Sequence, residues 1–501
     1  MDSWWRSSKY GVFWECTMGF TEKVDRVAMN DGVHLDVSVC TPEGEMPEGG
    51  WPGILLAHGH GDAASKASTI GQGRRFADHG YLTVCYSIRG QGNSEGLTFH
   101  MGAREVFDLQ DMIHWTLDEL YVHQNKLGVV GSSQGGWHSH MAAAHHPGVA
   151  TVVPQNIHTR HDDFAVRNNC LTKWFFTRTM RRRIMSAGFQ ELIRQWAQSE
   201  DWDLIREWLR PYSPIIFAER VKCPVFILHG WHDVGMPPNE VVEMFDRLHV
   251  PKKLYIGGGG HDGQDDTEAQ KLRVRLIDRW LAHWLKGDEN GIMDEPEITY
   301  TQRPGWDHGT LETFSPTEVT TETLYLRHGG KLSSNKEDDV QTHANVNNRL
   351  IDPDYTLKSA VMDDMEGVSD ALAREAISFE GNLLGEPTEI LGAPVARFKM
   401  LCNRPTLQVH AELYDVSPQG EATLITRGDF GARSLQPGQH TDVEITLRTI
   451  GYTLQTGHKI RLDVVNYNTT YTFPYFEPFC ARLFYDRDYA SSIDIPMRGC
   501  S

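Results

Sequence analysis

A serine in a glycine-flanked turn, an aspartate and a histidine supply the groups needed for nucleophilic acyl transfer. Val129-Val130-Gly131-Ser132-Ser133-Gln134-Gly135-Gly136-Trp137 ends a short apolar run in a Gly-x-Ser-x-Gly turn and opens a helix-like segment. A strand-to-helix turn this tight strains the serine backbone, and side chains two residues either side would clash, so glycines belong at 131 and 135. The turn lifts the Ser133 hydroxyl clear of a sheet and sets it at a helix N-terminus, where unpaired N–H groups favour developing negative charge. The same string also fits an ordinary Gly-rich strand-to-helix turn. A serine hydroxyl is a poor nucleophile at neutral pH. It needs a base, which histidine supplies, and the imidazole needs a carboxylate to fix its tautomer. Asp233 and His261 follow Ser133 in that order, each just after a short apolar run. Asp262, Asp265 and Asp266 are alternative acids, and His229 and His232 alternative bases, less well placed relative to the strand ends. The attacked carbonyl becomes an oxyanion that needs donors. The N–H of Gln134 is one. The loop His58-Gly59-His60-Gly61 supplies the other, with His60 the candidate.

These residues need strands to bring them to one edge. Residues 23–29 and 33–41 alternate around Asn30-Asp31-Gly32, a hairpin signal. Apolar runs at 53–57, 81–88, 126–130, 150–154, 224–228 and 253–256 read as strands. Helix-like segments separate them at 67–79, 105–120, 240–248 and 267–285, the second with Phe107, Met112, Ile113 and Leu117 on one side. Strands alternating with helices imply a parallel sheet with right-handed crossovers. Residues 157–215 break the alternation with aromatic, helix-like sequence and read as a cap over the carboxyl ends of the strands. Trp174, Phe175 and Trp208 in this cap, with Trp137 beside the elbow, are candidates for an apolar substrate pocket, although packing within the cap explains them equally well. Arg181-Arg182-Arg183 reads as a solvated face. From Glu295 short alternating segments separated by turns replace the helical periodicity, which indicates a β-sandwich or jelly roll. The division expected is 1–290 and 291–501.

The chain has 501 residues, too many for one core. Its formal net charge of -19 argues against nucleic acid or an anionic membrane as partner. No apolar run approaches the roughly 20 residues of a membrane span, and no secretory signal is visible. The eight cysteines lie far apart, with no C-x-x-C pair. Those at 40, 85 and 223 read as small buried hydrophobes, which fits a reduced, cytoplasmic setting. The 24 histidines show no metal-ligand spacing, so no metal and no cofactor are expected. An aromatic arm over residues 1–20 packs either on its own domain or on a second copy, as a homo-oligomer contact.

Three stretches together resemble the family of cocaine esterase, α-amino-acid ester hydrolases and X-Pro dipeptidyl peptidases. They are the elbow Gly131 to Gly136, the loop Arg89-Gly90-x-Gly92-x-Ser94-x-Gly96, and the β-domain segments Leu413-Tyr414-Asp415-Val416-Ser417-Pro418-Gln419-Gly420 and Gly457-His458-Lys459-Ile460-Arg461-Leu462. The likeness covers about residues 22–490. It implies an α/β fold: an α/β-hydrolase domain with a helical cap, then a C-terminal β jelly-roll, galactose-binding-like domain. It also implies a Ser-His-Asp triad of Ser133, His261 and Asp233. His60 stands where cocaine esterase-like members carry an oxyanion-binding tyrosine. The cap, of roughly 60 residues, is shorter than in the peptidases.

The expectation is a serine hydrolase of small-molecule esters or activated amides, working through an acyl-enzyme. The rivals are an X-Pro dipeptidyl peptidase or α-amino-acid ester hydrolase, a biosynthetic enzyme that transfers or cyclises acyl groups, and a binding protein on the same scaffold. Asp162-Asp163 and Glu200-Asp201 are the acidic pairs available to hold a substrate α-amino group.

Overall fold

The computed structural model describes residues 19–61, 64–179, 184–261, 266–314, 318–336, 338, 342–352, 372–468 and 470–499. The aromatic arm up to residue 18, Arg181 to Arg183, Asp262 and Asp265 lie outside them.

Every residue of β3 (Trp51–Ala57) and β4 (Leu82–Tyr86) is buried, as a strand covered on both faces requires. β1 (Phe20–Ala28) and β2 (His34–Pro42) form the expected antiparallel hairpin. β5 (Val122–Ser132), β6 (Val149–Gln155), β9 (Val225–Gly230) and β10 (Lys252–Gly257) complete the middle of the sheet. A small hairpin, β7 (Val166–Arg167) and β8 (Cys170–Leu171), belongs to the cap. With β11 (Ile298–Thr301) and β12 (His308–Leu311), the sheet order among the described residues is β1-β2-β4-β3-β5-β6-β9-β10-β11-β12, parallel from β4 to β11. Alternation along the strands splits the core in two. Ile54, Leu56, Val130, Val153 and Phe226 face α1 (Ile70–Asp78) and α8 (Thr267–Leu281), through Phe76, Leu276 and Trp280. Leu55, Val129, Val152 and Ile227 lie in the other core, with residues of α2 (Ala103–Glu119), α3 (Gln134–His145) and α7 (Pro238–Arg247).

Two expectations shift. Phe107 does not share the buried side of α2. It is 49% exposed, under the guanidinium of Arg104, and Leu109 and Thr116 join Met112, Ile113 and Leu117 inside. In addition, β11 (Ile298–Thr301) and β12 (His308–Leu311) come from beyond residue 290 yet extend the first sheet, β11 pairing parallel with β10. Strand periodicity reveals an element but not which sheet it joins.

The cap consists of α4 (His161–Ala165), the β7–β8 hairpin, one wide π-type turn over Trp174–Thr179, α5 (Ala187–Gln198) and α6 (Trp202–Leu209). The remaining strands form a mostly antiparallel array, fourteen among the described residues. Strand Val395–Cys402 pairs with Ser492 to Asp494 at one end and with Ala481 to Phe484 at the other, so it changes partner midway and turns a corner of the jelly roll. No helix among the described residues is long and apolar enough to cross a membrane.

Candidate active site

The backbone of Ser133, between β5 and α3, lies at φ 57°, ψ −123°, a conformation L-residues rarely adopt. Its N–H donates to the Gln155 carbonyl of β6 at 2.9 Å. A Cβ at Gly131 would collide with the Gly135 carbonyl, and one at Gly135 with that of Ala57. The glycines therefore let β5, α3 and the end of β3 approach closely enough to hold the turn.

The sheet brings three loop tips together. His261 Nε2 lies 3.1 Å from Ser133 Oγ, and His261 Nδ1 lies 2.7 Å from Asp233 Oδ2. With the proton on Nδ1, the imidazole donates to Asp233 and offers Nε2 to the serine hydroxyl. Asp233 is fully buried, and its Oδ1 accepts from the N–H groups of Gly235 and Met236 at 3.0 and 2.9 Å. Burial alone would push this carboxyl up. The charge and hydrogen bond of His261, with the Met236 N–H, hold it below the ordinary aspartate value instead.

The alternatives do other work. His229 Nε2 faces the Met236 carbonyl at 2.8 Å, and burial pushes its pKa down. Asp266 caps α8, accepting from the Ala269 N–H at 2.8 Å. His232 sits on the loop beside Asp233, where its main-chain N–H donates to the Gly259 carbonyl at 3.1 Å.

Gln134 is the first residue of α3, so its N–H has no acceptor within the helix. Across from it, a Cβ on Gly59 would come within 3.3 Å of Ser133 Cβ, so the loop after β3 lies directly against Ser133. His58 locks that loop to β4. The Ile88 N–H donates to His58 Nε2 at 2.9 Å, so the His58 proton is on Nδ1 and points at the Gly59 carbonyl 2.7 Å away. Burial pushes the His58 pKa down to about 4. His60 Nδ1 lies 3.3 Å from Gln134 Oε1, which also accepts from Gln91 Nε2 at 2.9 Å. An amide oxygen only accepts, so this contact puts the His60 proton on Nδ1 and leaves Nε2 as a lone pair in the neutral ring.

Of the expected pocket aromatics, Trp174 alone comes to the triad, its ring centroid 5.5 Å from that of His261. Phe175 is buried behind it, edge-on to Phe164 and Phe176. Trp208 packs inside the cap on Phe189 and Tyr212. Trp137 is 0% exposed and donates to the Tyr212 carbonyl at 2.8 Å. It is core rather than pocket, because the first ten residues of α3 are all buried and residue 137 points inward with them.

Three participants escaped the sequence reading. His58 was visible only as part of a tight turn. Gln91 lies inside the Arg89–Gly96 loop, whose anchor is a two-toothed Arg89–Asp108 pair at 2.6 Å. Arg448, from the β-domain, donates to the carbonyls of Asp233 and Val234 at 2.9 and 3.0 Å. No local pattern marks a residue that is 215 positions away along the chain from the group it binds.

The family model for X-Pro dipeptidyl-peptidase (S15 family) matches residues 31–203 and 176–263, and that for the X-Pro dipeptidyl-peptidase C-terminal non-catalytic domain matches 290–478. The chain belongs to the S15 hydrolase family. A putative Xaa-Pro dipeptidyl-peptidase of Bacillus cereus is 24% identical over 276 residues, 51% of this chain and 44% of the relative, so the match spans less than half of that protein. An aminopeptidase from the marine sediment archaeon Thaumarchaeota archaeon superposes with a TM-score of 0.75 at 16% identity, over 98% of this chain and 99% of the other. An α-amino acid ester hydrolase superposes with a TM-score of 0.74 at 16% identity, over the same shares. At this identity the two structures establish the fold: an α/β-hydrolase domain followed by a β-domain.

Proposed function

We propose that the protein hydrolyses carboxylic esters or activated amides through an acyl-enzyme on Ser133. The observation that carries this reading is the unbroken chain Ser133–His261–Asp233, with separations of 3.1 and 2.7 Å. His261 takes the serine proton as Oγ attacks, then returns it to the leaving group. The N–H of Gln134 and an N–H of the His60 loop receive the oxyanion. Water then repeats the cycle on the acyl-enzyme. A non-water nucleophile entering at that stage would give acyl transfer instead.

Dipeptidyl-peptidase activity is the second reading, favoured by the family model and by the name of the Bacillus cereus relative. Release of a dipeptide from a free N-terminus needs a carboxylate to hold the substrate ammonium. The candidate carboxylates are engaged. Asp162 accepts from Ser213 at 2.9 Å, Glu200 pairs with Arg433 of the β-domain, and Asp201 accepts from Ser199 at 2.8 Å. Burial pushes the Asp163 carboxyl up against the opposing charge of Arg167, which disfavours its ionised form. This supports esters over free dipeptides.

A fluorophosphonate probe, a panel of p-nitrophenyl esters and a panel of Xaa-Pro-p-nitroanilides test the reading. Single-site labelling lost in Ser133→Ala, with fast esters and inert anilides, is the expected result. Labelling that persists in Ser133→Ala refutes the acyl-enzyme, and rapid anilide turnover selects the peptidase. The five buried free cysteines among the described residues support a reducing, cytoplasmic setting.

A further inference from the structure

His100 is 3% exposed, and neither of its ring nitrogens has a hydrogen-bond partner among the described residues. Buried polar atoms without partners are rare in native proteins, because each costs about 1–3 kcal/mol. The ring also lies between the two halves of the site. Its centroid is 4.8 Å from that of His60 on the oxyanion loop, and 6.1 Å from that of Phe175, which follows Trp174 in the cap. His161 and Phe164 of α4 complete its surroundings at 5.4 and 5.9 Å.

The backbone is held for this placement. His100 and Met101 are consecutive residues at positive φ, 54° and 60°. A buried carboxylate fixes the bend: Glu105 accepts from Thr98 Oγ1 at 2.5 Å and from the N–H groups of Phe99 and Gly102 at 2.7 and 3.1 Å. Thr98 Oγ1 in turn accepts from the His100 N–H at 3.0 Å. Strain that the surroundings over-determine in this way is characteristic of binding and catalytic positions.

We propose that His100 is a specificity residue that reads a neutral hydrogen-bonding group, a hydroxyl or an amide, on the substrate beside the scissile carbonyl. The inference rests on the acyl-enzyme reading above and adds the class of substrate. A neutral imidazole offers one donor and one acceptor, which matches a hydroxyl or amide. Its neighbours fit the same class. The ring contacts of His100 are with His60, His161, Phe164 and Phe175, and the nearby Glu105 carboxylate is taken up by Thr98, Phe99 and Gly102 rather than offered to an ammonium group. Burial pushes both His100 and His161 well down, so they present no cation to a carboxylate. His161 Nδ1 is already engaged by His158 Nε2 at 2.7 Å.

The test compares p-nitrophenyl butyrate with p-nitrophenyl 3-hydroxybutyrate and the p-nitrophenyl ester of N-acetylglycine, for acyl groups. Ethyl butyrate against 2-hydroxyethyl butyrate does the same for leaving groups. The variants are His100→Phe, which keeps the volume and removes both nitrogens, and His100→Gly, which also removes them, accepts the positive φ and so covers a folding failure of the first. Wild type is expected to prefer the polar member of at least one series. Both variants should lose about tenfold or more in kcat/KM on that member, while the apolar member stays within about threefold. Polar-to-apolar ratios that are the same in wild type and variants overturn the inference. A wild-type protein inert to every ester overturns the acyl-enzyme reading and this inference with it. An active enzyme whose ratios ignore His100 overturns this inference alone.

Discussion

Arg448 of the β-domain donates from Nη1 to the main-chain carbonyl of Asp233, 2.9 Å away, so the second domain grips the loop that carries the triad acid. Its guanidinium lies over the Tyr471 ring, 3.5 Å from the centroid. Nearby, Asn239 of α7 exchanges hydrogen bonds with Leu447 and Thr449 at 3.0 Å each. Arg448→Ala is expected to lower kcat by up to about 10²-fold through displacement of Asp233, with KM little changed. Arg448→Lys should recover part of the loss. Steady-state kinetics beside thermal unfolding separate this positioning role from a general loss of stability, which would leave kcat per folded molecule intact. A chain cut at residue 290 loses β11, β12 and Arg448 together, and is expected to be insoluble or inactive.

The His60 tautomer makes a second expectation. Its Nδ1 proton is directed at Gln134 Oε1, so the neutral ring brings no N–H to the oxyanion. His60→Ala keeps the main-chain N–H and should reduce kcat by less than about tenfold. Loss of a true oxyanion donor costs about 10²–10³. A loss of that larger size in a folded variant would assign the donor role to the imidazole.

Two cap tryptophans, equivalent in the sequence, should behave differently. Trp174 stands against His261 and Trp208 against Phe189. Trp174→Ala should change the preference among p-nitrophenyl esters of different chain length. Trp208 is half-buried, so Trp208→Ala should lose stability by less than the roughly 3–5 kcal/mol of a fully buried tryptophan, with selectivity unchanged. Chain-length profiles and denaturant melts distinguish the two.

Where the cap's Asn168 donates to the Asp429 carbonyl, the β-domain carries an acid-sensitive pair of its own, His410 and Asp429 on neighbouring strands. Burial alone would push the Asp429 carboxyl up, but the hydrogen bond from His410 at 2.7 Å and the His410 charge bring it from 3.8 down to about 2. As pH falls between these values the unfolded chain binds more protons, so the stability from this pair, fully present above pH 4, is lost. The contribution is about 2 kcal/mol by linkage. Asp429→Asn should be less stable at pH 7, and its stability should fall less between pH 4 and 2, measured by urea titration at each pH.

What could be read from the chain depended on how local its cause was. Ser133, Asp233 and His261 were legible because each ends an apolar run at a turn, and a parallel sheet collects such turns at one edge. Phe107 was misplaced because its spacing on α2 fits the apolar stripe almost as well as Leu109 does. Strands β11 and β12 were legible as strands but not as members of the first sheet, since pairing is decided by distant partners. Arg448 and His100 left no local signal. One acts across domains, and the other is notable for the hydrogen bonds it lacks.

The backbone of Ser133 has a consequence for how such a protein would change once freed from selection. A positive φ costs a serine on the order of 1–3 kcal/mol, whereas glycine adopts it with little penalty. Ser133→Gly should therefore unfold at a higher temperature than the active protein, despite the greater freedom glycine gives the unfolded chain. Loss of catalysis would then be the downhill direction at this position. In an idle copy of the gene, selection for stability alone would favour loss of this hydroxyl.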